Sequence, residues 1–404
     1  MKSSKQVVIT GLGVVSPIGI GKKAFQEGLF KGLSGIKPVT FFDTAVYKTK
    51  IAGEITDFSP EAILGPKGLR TFDRSIKLVL AASKLCLEDA GMAINEDNSR
   101  DTGVAVGSVF GSIKSVSDFD RDALTEGARY VNPAHFPHTI INSPASEVSI
   151  RFKIKGFNAT LSTGFSAGLD AVNYAADFIR FGRAKAALAG GVEELCEQLF
   201  IGFHETGCMA SLEDGEGVQF CPLDRRRSGL LLGEGSAILE LEDADAALKR
   251  GARIYCLLKG FCTTTDRQGG IKRSMLAALK RSQLKPDEVD LIMAGANASV
   301  VGDRSEALAI KEVFQGYASQ VRVSALKSML GEQYSNAGAL QAAAAALVIE
   351  EQMIYPTINY QEKDPDCDLN IVTLAQHKSI ENILINVIGP GRACSSMVIG
   401  RFER

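Results

Sequence analysis

The sequence predicts an α/β fold in which helices cover mostly parallel sheets, assembled from two halves of similar make-up. Three observations carry that expectation. Strand-like, β-branched runs alternate with segments of helical spacing along the whole chain. The same grammar restarts after about residue 250, and 404 residues exceed the size at which one hydrophobic core keeps growing. Residues 1–250 and 251–404 therefore read as two halves, and the lack of a low-complexity linker between them predicts that they pack as one body.

The first half opens on VVITGLGVVSPIG, a β-branched strand running into a glycine-rich turn, followed by GKKAFQEGLFKG with its helical spacing of apolar positions. Residues 73–91 place Ile76, Leu78, Leu80, Ala81, Leu85 and Leu87 on a broad apolar stripe that stops at Gly91, so a buried helix closed by a C′ glycine is expected. TGVAVGSVF then reads as a short strand and VNPAHFPHTIINSPA as irregular chain. Residues 159–194 read as a small-residue turn, a long helix and the strand AKAALAGG. In the second half the strands RIYCLLKGF, VDLIMAGA and VRVSA alternate with the helices RSMLAALKRSQL, RSEALAIKEVF and ALQAAAAALVIEEQ. NILINVIG and CSSMVIGRF close the chain as strands.

Composition excludes several classes of function. A formal net charge of −2 at pH 7, with Lys and Arg spread along the chain, offers no basic stripe to neutralise a phosphate backbone, so nucleic acid is not an expected partner. No apolar run is long enough to span a bilayer, and the opening MKSSKQVVITGLG passes directly into a strand, unlike a secretory signal. The eight cysteines stand singly, without a CxxC pair or a histidine at metal spacing, which predicts buried reduced thiols, no metal and a cytoplasmic location. GLGVVSPIG lacks the G-x-G-x-x-G spacing of a dinucleotide loop, and no cofactor is expected.

Several segments resemble one family. They are VVITGLGVVSPIG, PHTIIN at 137–142, CPLDRRRSGLLLGEGSAILELEDADAALKRGARIY at 221–255, VGDRSEALAIK at 301–311 and KSMLG at 327–331. Together they are similar to the β-ketoacyl-acyl carrier protein synthases of type II fatty acid and polyketide synthesis. The resemblance implies a thiolase-like fold of five layers, α-β-α-β-α, made by two pseudo-repeats, and an intimate dimer in which each subunit helps line its neighbour's acyl pocket. It also implies a chemistry: a cysteine thiolate at the start of a buried helix carries the acyl chain, and two histidines serve decarboxylation and enolate stabilisation.

The residues that chemistry needs are absent. Where the family has S-T-A-C, this chain reads Ser162-Thr163-Gly164-Phe165, and a phenyl ring has no lone pair with which to attack a thioester. A gapless match of VDLIMAGANASVVGD to the family pattern puts Gly295 at the first histidine, and Glu332 follows KSMLG where the second belongs. A carboxylate there opposes a developing enolate. In the C-terminal glycine-rich loop, Gly389-Pro390-Gly391-Arg392 replaces the family's gating phenylalanine. Lys327, Asp303 and Glu306 remain and are expected to serve as scaffold hydrogen bonds and ion pairs.

FSAGLDA at 165–171 looks like the corresponding stretch of the ketosynthase β subunit, or chain length factor, of type II polyketide synthases, although Phe stands where that subfamily has Gln. The expected partners are therefore an active ketosynthase and an acyl carrier protein, with this chain lining part of the tunnel for a growing polyketide or polyene. By the same resemblance Phe110 falls at the bottom of the acyl pocket, and His135 reaches toward the partner's tunnel. Two other readings stand beside this one. A homodimeric acyl-binding protein would keep the same interface, and a thioester acyltransferase or hydrolase would act through Ser166, although one helical residue turns its side chain about 100° from the cysteine's direction.

Overall fold

The computed structural model describes residues 5–210, 220–266, 269–391 and 393–403 of the 404. Its first half contains the strands β1 (Val7–Ser16), β2 (Thr102–Gly107), β3 (Asn158–Leu161), β4 (Ala186–Glu193) and β5 (Gly235–Asp243), with the helices α1 (Arg74–Asp89), α2 (Ser143–Phe152) and α3 (Ala167–Arg180). Its second half contains β6 (Cys256–Thr265), α4 (Gly270–Ser282), β7 (Leu291–Met293), α5 (Val300–Phe314), β8 (Arg322–Ser324), α6 (Ala337–Glu351), β9 (Asn382–Ile388) and β10 (Ala393–Gly400).

The strand orders of the two halves superimpose. In the first, β1, β5, β4, β2 and β3 lie side by side; in the second, β6, β10, β9, β7 and β8 follow in the same order. Even the sense of each pairing repeats: antiparallel, antiparallel, parallel, parallel. The sheets are thus mixed, and the expectation of mostly parallel sheets is corrected. The last strand of each half turns back beside its predecessor, and in β9–β10 a short turn suffices, as only an antiparallel pair allows. The two sheets meet edge to edge through the register pairs Val8↔Leu257 and Ile9↔Cys256 of β1 and β6.

Five layers result. Helices α1 and α2 cover the outer face of the first sheet, α3 and α6 lie between the sheets, and α4 and α5 cover the outer side of the second. The middle layer explains the sequence of α6: thirteen of its residues, Ala337 to Ile349, are buried, so AGALQAAAAALVI is apolar all round rather than on one stripe. Helix α1 has the predicted stripe. Asp73 caps its start by accepting from the Ile76 N–H at 2.9 Å, and Gly91, at φ 59°, turns the chain away just past its end.

Two glycines let the middle layer reach the site. A Cβ on Gly168 of α3 would lie 2.3 Å from the Ser335 carbonyl, and one on Gly191 of β4 would lie 2.8 Å from the Asn336 Cα. Glycine at both positions lets the segment before α6 sit directly on the start of α3. The helices Ile113–Thr125, Ser143–Phe152 and Glu197–Glu205 and the short ones Pro60–Leu64 and Ala244–Lys249 lie outside the helices the sequence predicts, and the stretch read as irregular contains a 3₁₀ turn over Pro133–Thr139 and the start of α2. No helix among the described residues is long and apolar enough to cross a membrane.

Candidate functional site

The turn before α3 carries Phe165. Gly164, at φ 91°, makes the turn, and the Ala167 N–H closes it on the Gly164 carbonyl at 2.9 Å. The Phe165 side chain is buried rather than offered to a ligand. Its ring stands edge-on to Tyr334, with centroids 5.4 Å apart, and lies 6.3 Å from that of Phe203. Phe110 joins the same group, edge-on to Tyr334 at 5.4 Å and to Phe203 at 6.0 Å, while the Phe203 and Tyr334 rings meet at a tilt with centroids 5.3 Å apart.

Four rings from four separate elements thus fill the space beside the helix start, at separations typical of favourable aromatic pairs. Tyr334 holds its place from a left-handed backbone, φ 48°, and its hydroxyl is buried without a hydrogen-bond partner. Phe203 and Tyr334 were not singled out from the sequence. Phe203 looks like any apolar residue of an amphipathic helix, and Tyr334 lies only two residues beyond the degenerate Glu332.

Beneath the rings, Glu193 at the end of β4 accepts from the N–H groups of Val109 and Phe110 and from the Ser335 hydroxyl, the last at 2.7 Å. Burial pushes its carboxyl up to about 7 against those hydrogen bonds. The acid anchors the strand end that bears Phe110.

The opposite wall is charged. Gly295 donates its N–H to Glu306 Oε1 at 2.9 Å, and its carbonyl accepts from Lys327 Nζ at 3.1 Å. A Cβ at this glycine would come within 3.1 Å of the Asn386 carbonyl, so strand β9 presses close where the family's first histidine would stand. Glu332 is fully buried and well partnered: Lys327 Nζ and Asn297 Nδ2 each donate to its Oε2 at 2.7 Å, and the Tyr334 N–H to its Oε1 at 3.0 Å. Lys327, expected to serve as a scaffold ion pair, is turned onto this carboxylate.

Asp303 accepts from the Leu223, Asn297 and Ala298 N–H groups at 2.8, 3.0 and 3.2 Å. It thereby ties the Cys221–Gly235 segment to the loop after β7.

Ser166 is also accounted for. Its hydroxyl is fully buried and donates to Asp170 Oδ2 at 3.0 Å, and Asp170 accepts in addition from Thr163 and from Ser395. Burial raises the Asp170 carboxyl above its ordinary range. The network stitches the turn to β10. None of the four histidines contributes to it: His138 packs edge-on to Phe72 at 5.4 Å and His204 to Tyr47 at 5.3 Å, while His135 and His377 are exposed.

The structure thus joins Phe110 to Phe165 but leaves His135 outside, on the exposed turn Pro133–Thr139. Gly389 closes over Phe165, its own Cβ position 3.3 Å from the Phe165 Cβ, and Pro390 follows; Arg392 lies outside the described residues. A separate cleft of about 740 Å³ opens among Phe58, Phe72, Arg74, Lys77, Glu194 and Cys196, and none of the four rings lines it.

Comparison with known proteins agrees with the architecture. Residues 4–247 match the family model for the β-ketoacyl synthase N-terminal domain, and residues 258–361 match that for its C-terminal domain. The chain is 34% identical to the 3-oxoacyl-[acyl-carrier-protein] synthase 2 of Coxiella burnetii, over 98% of this chain and 99% of that one. It is 33% identical to the protein of the same name from Staphylococcus aureus, over the full length of both. Among solved structures, the ishigamide ketosynthase/chain length factor superimposes with a TM-score of 0.92 at 30% identity, covering 99% of this chain and 100% of that one. A type II polyketide synthase acyl-carrier protein in complex with its ketosynthase gives 0.91 at 28% identity, with the same coverage.

Proposed function

This chain belongs to the β-ketoacyl synthase family, and we propose that within it the chain is a chain length factor: a non-catalytic subunit that pairs with an active ketosynthase. The observation that carries this reading is the packing of Phe110, Phe165, Phe203 and Tyr334 in the space where an acyl-enzyme would otherwise form. Family membership alone would favour a condensing enzyme, as the curated relatives are named. Three chemical roles are missing here, however: no nucleophile at 165, no hydrogen-bond donor side chain at 295, and at 332 a carboxylate already held by a lysine.

A folded scaffold without these groups still supplies surface. It contributes half of a subunit interface and part of the tunnel for a polyketide or polyene carried on acyl carrier protein, with Phe110 closing this subunit's own side and His135 facing the partner. Six of the eight cysteines are buried, which suits a reducing cytoplasm.

Co-purification of a tagged form with the ketosynthase encoded nearest to it, followed by native mass determination, tests the reading. We expect a one-to-one complex that elongates malonyl-carrier protein, with this chain inactive alone. A homodimer that ignores the ketosynthase, or condensation by this chain alone, would overturn it.

A further inference from the structure

Behind the ring cluster, charges are shut together in unequal number. Asp303, Glu306 and Glu332 are completely buried and Lys327 almost so. The Lys327 ammonium is committed to Glu332 and to the Gly295 carbonyl. Arg227, the other cation near the group, is paired with Asp364. Asp303 has three backbone N–H donors. Glu306 is served on one side only: Oε1 accepts from the Gly295 N–H at 2.9 Å and Asn386 Nδ2 at 3.0 Å, and Oε2 is buried with no partner.

A carboxylate with one bare oxygen in a dry interior is strongly disfavoured, whereas the neutral acid is tolerated. We infer that Glu306 holds a proton in the folded protein because Glu332 has taken the lysine, and that losing this proton loosens the seam between α5 and strands β9 and β10.

The seam is a continuous polar thread. Asn386 of β9 links Glu306 to Ser396 of β10, whose hydroxyl meets that of Ser274 of α4 at 2.8 Å. The titratable and charged groups facing Glu306 are Asp303 on its own helix, Lys327 and Glu332 from the segment after β8, and Cys394 from β10. Burial pushes the Glu306 carboxyl up to about 7; the Gly295 and Asn386 hydrogen bonds oppose that rise, Asp303 adds to it, and Lys327 opposes it weakly.

An unfolded glutamate ionises near its ordinary value of about 4.3. Between there and neutrality the folded chain keeps a proton that the unfolded chain has released. Stability is therefore lost as pH rises through that window and levels off above about 7.

Urea unfolding of the full chain and of Glu306→Gln, followed from about pH 3.5, below the unfolded glutamate's range, to about pH 8, reads this directly. Glutamine mimics the neutral acid, so the two proteins should agree at the acid end. They should then separate by up to about tenfold in the unfolding equilibrium constant per pH unit until near pH 7, and run parallel beyond. Buried acids that do not feel Glu306 titrate alike in both proteins and cancel in the difference.

Glu332→Gln gives a second reading should Glu306→Gln not fold. It frees Lys327 for Glu306, and the pH window of stability loss should move toward acid. Parallel curves for the wild type and Glu306→Gln, or a window unmoved in Glu332→Gln, would overturn the inference.

Discussion

The two walls of the site are held together in opposite ways. On the side of α3, the Phe165 ring completes an apolar cluster with Phe110, Phe203 and Tyr334. On the side of β7 and β9, Gly295 and Glu332 stand in a web of charge with Lys327, Asn297 and Glu306. The rings of the apolar wall meet one another through contact area, on backbones that Glu193 and Glu332 hold by hydrogen bonds. The charged wall is held by mutual satisfaction, so removing one member exposes the others.

The sharpest way to break this contrast is Lys327→Met. It strands the Glu332 carboxylate in a dry interior and should cost about 3–5 kcal/mol in urea unfolding. The double change Lys327→Met with Glu332→Leu should recover most of that loss; a double variant no better than the single would mean that the pair is not interdependent.

Next in size is Phe165→Ala, which should destabilise by about 3 kcal/mol, the low end for such truncations because the Gly389–Gly391 turn can settle into the space. Unlike the lysine variant, it strands no charge, so a second change at a neighbouring ring should not recover the loss. The smallest effect is of opposite sign. Tyr334→Phe deletes a buried hydroxyl that has no partner and should stabilise by about 1 kcal/mol, read as a higher urea midpoint at unchanged slope.

Much of the fold was legible because it rests on periodicity. The stripe of α1, the all-round apolar α6 and the repeated grammar of the halves each state their burial in residue order. Strand sense was not legible. Whether β5 returns parallel or antiparallel to β4 depends on a connection of some forty residues whose path no local pattern records.

The site was half legible. Phe165, Gly295 and Glu332 stand out from the family pattern by residue type alone. Phe203 joins the rings by approach between segments far apart in sequence, whereas Lys327 meets Glu332 only five residues along the chain, an ion pair of the kind expected of Lys327; the helix Ile113–Thr125, which buries none of its residues on this chain, gave no core pattern to read. His135 shows the limit from the other side, since its proposed role rests on a subunit that its own chain does not contain.

Helix α6 has a consequence for how the protein is made. Its faces are closed by strands from both halves, including β9 and β10 at the very end of the chain. At ribosomal speeds of roughly 5–20 residues per second, the first half waits on the order of ten seconds for the residues that cover its inner face. Throughout that interval the apolar surface of the inner face that α3 leaves uncovered stands open, inviting chaperones or aggregation. Expression yield should therefore respond to codon choice and folding helpers over the second half of the message more than to any stabilising substitution in the first.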